Sequence, residues 1–179
     1  MTSNDLTRSL PAIFGELVHG ARDFGFVLNA GDGGLLASVR RLSADEASAS
    51  QQGGAPIAAH VDHLRYGLSL MNRWAGGEPN PFAEADWSAA WQTRRVTEDE
   101  WQALQDALRT EADRWRAALA TAREVSGVEL DGVIGSIAHL AYHLGAIRQI
   151  QATTRGPKEG SPPQGSEAGE SAAGEPPAR

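Results

Sequence analysis

Four histidines fall into two short stretches of a 179-residue chain that has five histidines and no cysteine. One stretch is Ala138-His139-Leu140-Ala141-Tyr142-His143-Leu144, and the other carries His60 and His63. Imidazoles at i and i+4 on a helix direct their nitrogens to one point, as the two histidines of an HExxH zinc helix do. Here the residues between His139 and His143 are Leu140, Ala141 and Tyr142, so the glutamate base of a zinc protease is missing. A lone histidine on an apolar face is usually a core residue bonded to a carbonyl. Four turned inward on two helices ask for more donors and acceptors than a leucine-rich core supplies. One ion held by three of them, with acidic or water ligands beside it, meets that need.

The carriers of these residues read as helices. On a wheel of about 100° per residue, His139 and His143 share a side with Leu140, Leu144 and Ile147. The helix is expected over about Gly132 to Thr153, capped by Asp131. An earlier helix, about Pro56 to Ala75, has Ile57, Val61, Leu64, Leu68 and Met71 as its buried stripe. Pro56 suits the first position, and Gly76-Gly77 stops it. His60 and His63 both lie on its apolar half, His60 nearer the centre of the stripe. Tyr142 faces away from the pair, Asp62 points outward, and Asn72 and Arg73 lie on the polar face.

Two further helices complete the frame. Leu6, Leu10, Ile13, Phe14 and Leu17 recur at helical spacing from Asn4 to about Gly20, with His19 as a favourable charge at the C-terminal end. Thr97-Glu98-Asp99-Glu100 is a capping box opening a helix to about Val125, with Trp101, Leu104, Leu108, Trp115, Leu119 and Ala122 inward and Ser126-Gly127 at its end. RDFGFVLNAGDGG is a loop, 34–42 a short helix, and Ser43 to Glu46 a second capping box. Residues 76–96 are long for a connection between packed helices. They hold Phe82, Trp87 and Trp91, so they are expected to form a flap. Trp87, Trp91 and Arg94 are candidates for covering the site and meeting an anionic substrate, although their plainer reading is packing and solvation. No stretch alternates as a strand. The expectation is an all-α, up-and-down four-helix bundle over 1–153, with a long flap between its second and third helices. A disordered Pro/Gly/Ser/Glu-rich tail is expected over 154–179.

Net charge is −7, which argues against phosphate-backbone binding as the main task. Without cysteine there is no disulfide, thiolate zinc site or cysteine nucleophile. The N-terminus lacks the pattern of a secretory signal, and no apolar run approaches the roughly 20 residues that span a bilayer. A cytoplasmic protein that uses neither nucleic acid nor membrane is expected.

The segments PIAAHVDHLRYGLSLMNRW (56–74) and IAHLAYHLGAIRQI (137–150) resemble the DinB/YfiT-like superfamily of metalloenzymes, whose members include thiol-dependent transferases. The resemblance spans roughly residues 5–152. It implies a four-helix bundle in which one histidine of the second helix and an HxxxH pair of the last hold a divalent metal (Zn, Ni, Mn or Fe) with open positions. His139 and His143 match the pair. The motif register gives His63, followed by Leu64, as the second-helix ligand, against the wheel's preference for His60. His60 then becomes a pocket residue or a partner behind the ligands. The activity implied is transfer of a low-molecular-weight thiol, such as mycothiol, bacillithiol or glutathione, to a small electrophile. The runners-up are a metal-dependent hydrolase and a non-catalytic dimeric helical module with a structural or vestigial site.

Overall fold

A computed structural model describes residues 3–51, 53–121 and 126–158. Among these the chain is all-helical. The six α-helices are α1 Ser3–His19, α2 Gly34–Arg40, α3 Ala44–Ser48, α4 Ile57–Ala75, α5 Glu98–Leu119 and α6 Gly127–Ile150. Two 3-10 turns, Ala89–Trp91 and Ala152–Thr154, complete the set. Pairing of the extended kind is limited to one isolated bridge between Ala21 and Asp32. No helix among the described residues is long and apolar enough to cross a membrane.

Local chemistry sets the boundaries. Ser43 with Glu46, Thr97 with Glu100 and Ser126 with Glu129 each form a reciprocal capping box. Each such cap contributes about 1 kcal/mol by satisfying end N–H groups. The third corrects the sequence reading. Ser126 opens α6 and does not close α5, so α6 begins at Gly127, five residues before the expected start. It ends at Ile150, earlier than expected, and α5 stops at Leu119. The expected last turn of α5, including Ala122, lies outside the described residues. Pro56 stands at the N-cap of α4, one residue before the first helical position expected for it and without a side-chain cap, and Gly77 follows the helix at φ 99°, a backbone conformation that favours glycine.

The apolar stripes meet in one core. α4 packs on α5, α6 and α3, while α1 packs on α2, α5 and α6. Phe14, Leu35, Ile57, Leu64, Leu108 and Ile147 are at its centre. Trp101 is fully buried, and its indole N–H donates to Leu42 O at 2.9 Å, tying the start of α5 to the end of α2. Trp115 does the same between α5 and α6 by donating to Ser136 Oγ at 3.0 Å. Asn72, expected on the surface, is half-buried and donates to the backbone and side-chain oxygens of Glu111 on α5.

The rotation of α6 about its axis decides where His139 and His143 point. Its buried stripe is Val133, Leu140, His143, Leu144 and Ile147. One turn beyond His143, Arg148 Nη2 lies 2.7 Å from Asp32 Oδ1 in a largely buried ion pair. Asp32 also accepts from Gly34 N at the start of α2. Residues 154–158, assigned to the tail from composition, reinforce this corner. Thr154 is fully buried, its carbonyl accepts from Ser38 Oγ, and Asn29 Nδ2 donates to Pro157 O. Composition does not reveal this, because Thr154 is a single polar residue whose partner Ser38 lies 116 positions away. The remainder of the expected tail, 159–179, lies outside the described residues.

Removing one partner of a buried ion pair leaves the other charge uncompensated. Asp32→Ala should therefore lower unfolding free energy by about 3 kcal/mol in urea denaturation. A loss under about 1 kcal/mol, the scale of an exposed pair, would show that this contact does not pin α6.

Candidate metal centre

α4 and α6 bring all four histidines together. His139 Nε2 lies 3.0 Å from His63 Nε2 and 2.9 Å from His143 Nε2. His63, His139 and His143 offer nitrogens that all lie within 4.8 Å of one another, so these three residues can hold a metal ion. Metal–imidazole bonds of about 2.0–2.1 Å would separate two nitrogens by about 2.8–3.0 Å at a right angle and about 3.3–3.4 Å at the tetrahedral angle. The two close spacings match the first of these. His63 and His143 are buried, and His139 is half-buried.

His60 stands behind the trio. Its Nδ1 is 2.9 Å from His143 Nδ1, the nitrogen on the far side of that ring from His139. A neutral imidazole has one N–H and one lone pair. With the His143 Nε2 lone pair turned to an ion, its proton sits on Nδ1 and is donated to His60. Such a partner orients a ligating ring and raises its basicity. The wheel places His60 nearer the centre of the stripe, but His63 is the buried one and His60 is half-buried, because Trp91 of the segment 76–96 stacks over His63. Both histidines are inward, but they meet different atoms of the facing helix.

The interior keeps these rings neutral. Burial, then repulsion from His139 and His60, lowers the His63 pKa to about 4 despite opposing attraction from Asp62. Burial and the three neighbouring imidazoles lower that of His143 to about 3. Burial alone lowers His60 and His139. His63 Nδ1 is buried without a partner among the described residues. Neutral imidazole is the ligating form, and protons compete for these nitrogens less than for ordinary histidines.

The segment 76–96 covers the trio. Trp91 stacks on His63, with ring centroids 4.5 Å apart and 27° between planes, and its edge meets His60 at 5.2 Å. Trp87 lies 5.7 Å from His63 and 5.6 Å from Tyr66. Two anchors hold this flap on α4. Tyr66 Oη accepts from Asp86 N at 3.1 Å, and Thr93 Oγ1 donates to Asp62 Oδ2 at 2.7 Å. Asp86 in turn folds the local turn by accepting from Ser88 and Ala89.

Asp62 therefore does not point freely outward as expected. It is engaged by Thr93 and by Arg65, one turn along α4. The Asp62/Arg65 spacing was visible in sequence, whereas its link to Thr93 crosses 31 positions. Arg94 is exposed, with no hydrogen bond or ion pair among the described residues. Tyr142 is exposed as expected, with its ring edge on His143. His19 pairs with Asp113 at 2.9 Å, far from the trio in role.

No family model, curated protein or solved structure matches the chain.

The lowered histidines give the metal-free protein a defined acid response. The folded chain binds fewer protons than the unfolded chain between the folded values and about 6.5. The stability from neutral imidazoles is complete above about pH 6.5 and is lost progressively as pH falls toward the folded values. Thermal melts of chelator-treated protein should show a falling Tm across that window. A Tm constant from pH 7 to pH 4 would contradict the burial of neutral rings.

Proposed function

We propose that the chain is a divalent-metal-binding protein of DinB-like type, with α1, α4, α5 and α6 as the four helices of the bundle. In this reading it transfers a low-molecular-weight thiol to a small electrophile. The observation that carries the metal is the convergence of His63, His139 and His143 at spacings of 2.9 and 3.0 Å. The donor set fits the role: three neutral imidazoles leave a divalent ion its full charge and at least one free position. Such an ion favours the deprotonated form of a thiol or water bound to it.

Each chain residue near the ion then has a task. His60 would hold His143 in the ligating tautomer. Trp91 would cover His63, and with Trp87 it limits water at the imidazoles. The choice of thiol transfer over hydrolysis is supported by the state of the nearest acidic group in sequence. Asp62 is tied to Arg65 and Thr93 and is a poor general base.

The test uses the full chain loaded with zinc, nickel or manganese, glutathione as the thiol and 1-chloro-2,4-dinitrobenzene as the electrophile. Each turnover forms one carbon–sulfur bond, releases chloride with the bonding electrons and gives the thiol proton to solvent. Thiol consumption should require metal, stop on chelation and fall at least about 100-fold in His143→Ala, the scale of losing a positioned catalytic group. Ester hydrolysis that needs metal but no thiol would contradict the transferase reading.

A further inference from the structure

Beside the trio, between α4 and α6, lies a cavity of about 410 Å³ that has no role so far. Its α6 wall is one helical stripe: Val128, Gly132, Gly135 and His139, spaced by four, three and four. Its α4 wall is Leu64, Gly67, Leu68 and Met71. Phe82 and Trp87 of the flap contribute its roof. His139 is thus shared: it belongs to the metal-capable trio and closes one end of the cavity.

The wall is apolar and carries no charged group. Its hydroxyl, Ser136 Oγ, is already engaged, donating to Val133 O at 2.7 Å and accepting from Trp115 Nε1. Glycine shapes the floor. A Cβ built at Gly132 or Gly135 meets nothing within 4 Å and both residues are exposed, so this side of the cavity opens to solvent. At Gly67 it would stand 3.7 Å from Trp87 Cζ3, ordinary van der Waals contact with the flap. Glycine inside a helix costs about 1 kcal/mol relative to alanine, and here two such residues fall one turn apart on the face toward the cavity. From Gly132 to His139 the floor runs about 10 Å at 1.5 Å per residue. The volume lies in the range of small-molecule sites, about 300–1,000 Å³.

We infer that this cavity binds the apolar body of a neutral small molecule, aliphatic or aromatic, with its polar end at His139. Gly132 and Gly135 determine the size it accepts. The part of this inference that concerns the polar end rests on the metal reading, and the part that concerns the apolar body does not.

Two measurements on the full chain separate them. In the first, the neutral dye prodan is titrated into metal-free protein and followed by its blue-shifted emission. Saturable binding is expected, weakened at least about 10-fold in Gly135→Leu and in Gly132→Leu by loss of buried apolar contact. Both leucines enter open space on a helix that prefers them to glycine, and circular dichroism confirms folding. No saturable binding, or equal binding by both variants, would overturn the cavity assignment. In the second, acetohydroxamate and octanohydroxamate are titrated into zinc-loaded protein by calorimetry. The longer chain is expected to bind at least about 30-fold tighter, since each buried methylene adds to the transfer free energy. Gly135→Leu should erase that difference and keep acetohydroxamate binding. Equal affinities in the unsubstituted protein would overturn the placement of the apolar body beside the metal. Failure of zinc or acetohydroxamate to bind would sink the metal reading and leave the prodan result to decide the cavity.

Discussion

An imidazole placed in an apolar interior must find a partner for each nitrogen or lose the free energy of hydrating it. In this protein four imidazoles face that demand at once, and they meet it mainly with one another. His63 and His143 both approach His139, and His60 approaches the far nitrogen of His143. Three lone pairs aimed at one place by neutral rings form a poor hydrogen-bond cluster, because each contact needs a proton that the ring must withhold elsewhere. They form a good ligand set. The same burial that makes the rings awkward companions keeps them in the ligating form.

The remainder of the fold reads as the means of holding that arrangement. α6 must present His139 and His143 to α4 and not to solvent. Its leucine stripe gives the coarse rotation, and the Arg148–Asp32 pair gives the fine one. The flap must lie over His63, and Asp62 and Tyr66 hold it there from the outer side of α4. Consecutive positions of α4 thus serve two layers: His63 turns to the trio, and Asp62 turns to the strap above it. The glycines along α6 leave room on the side the flap and leucines do not fill.

Much of this is legible in the sequence. Helical periodicity located the long helices, because 3.6-residue repeats of leucine and valine have few other solutions. The HxxxH spacing put two ligand candidates on one face, and two of the three capping boxes were read correctly. The third, Ser126 to Glu129, had the same pattern and was overlooked because Ser126-Gly127 also resembles a helix stop. Competing signals on adjacent residues are where pattern reading fails. The wheel favoured His60 over His63 as the more central residue, since a single helix does not show that Trp91, 28 positions on, covers His63. Asp62 and Thr154 differ from their expected exposure for a related reason. Their partners are distant in sequence, and a polar residue's contacts carry no local period.

The central claim is that one ion is held by His63, His139 and His143, with His60 behind. Zinc-edge X-ray absorption on the zinc-loaded full chain tests it most directly. Three imidazole nitrogens at about 2.0–2.1 Å are predicted, unchanged in His60→Ala and reduced to two in His63→Ala. An imidazole lost in His60→Ala but kept in His63→Ala would contradict the account.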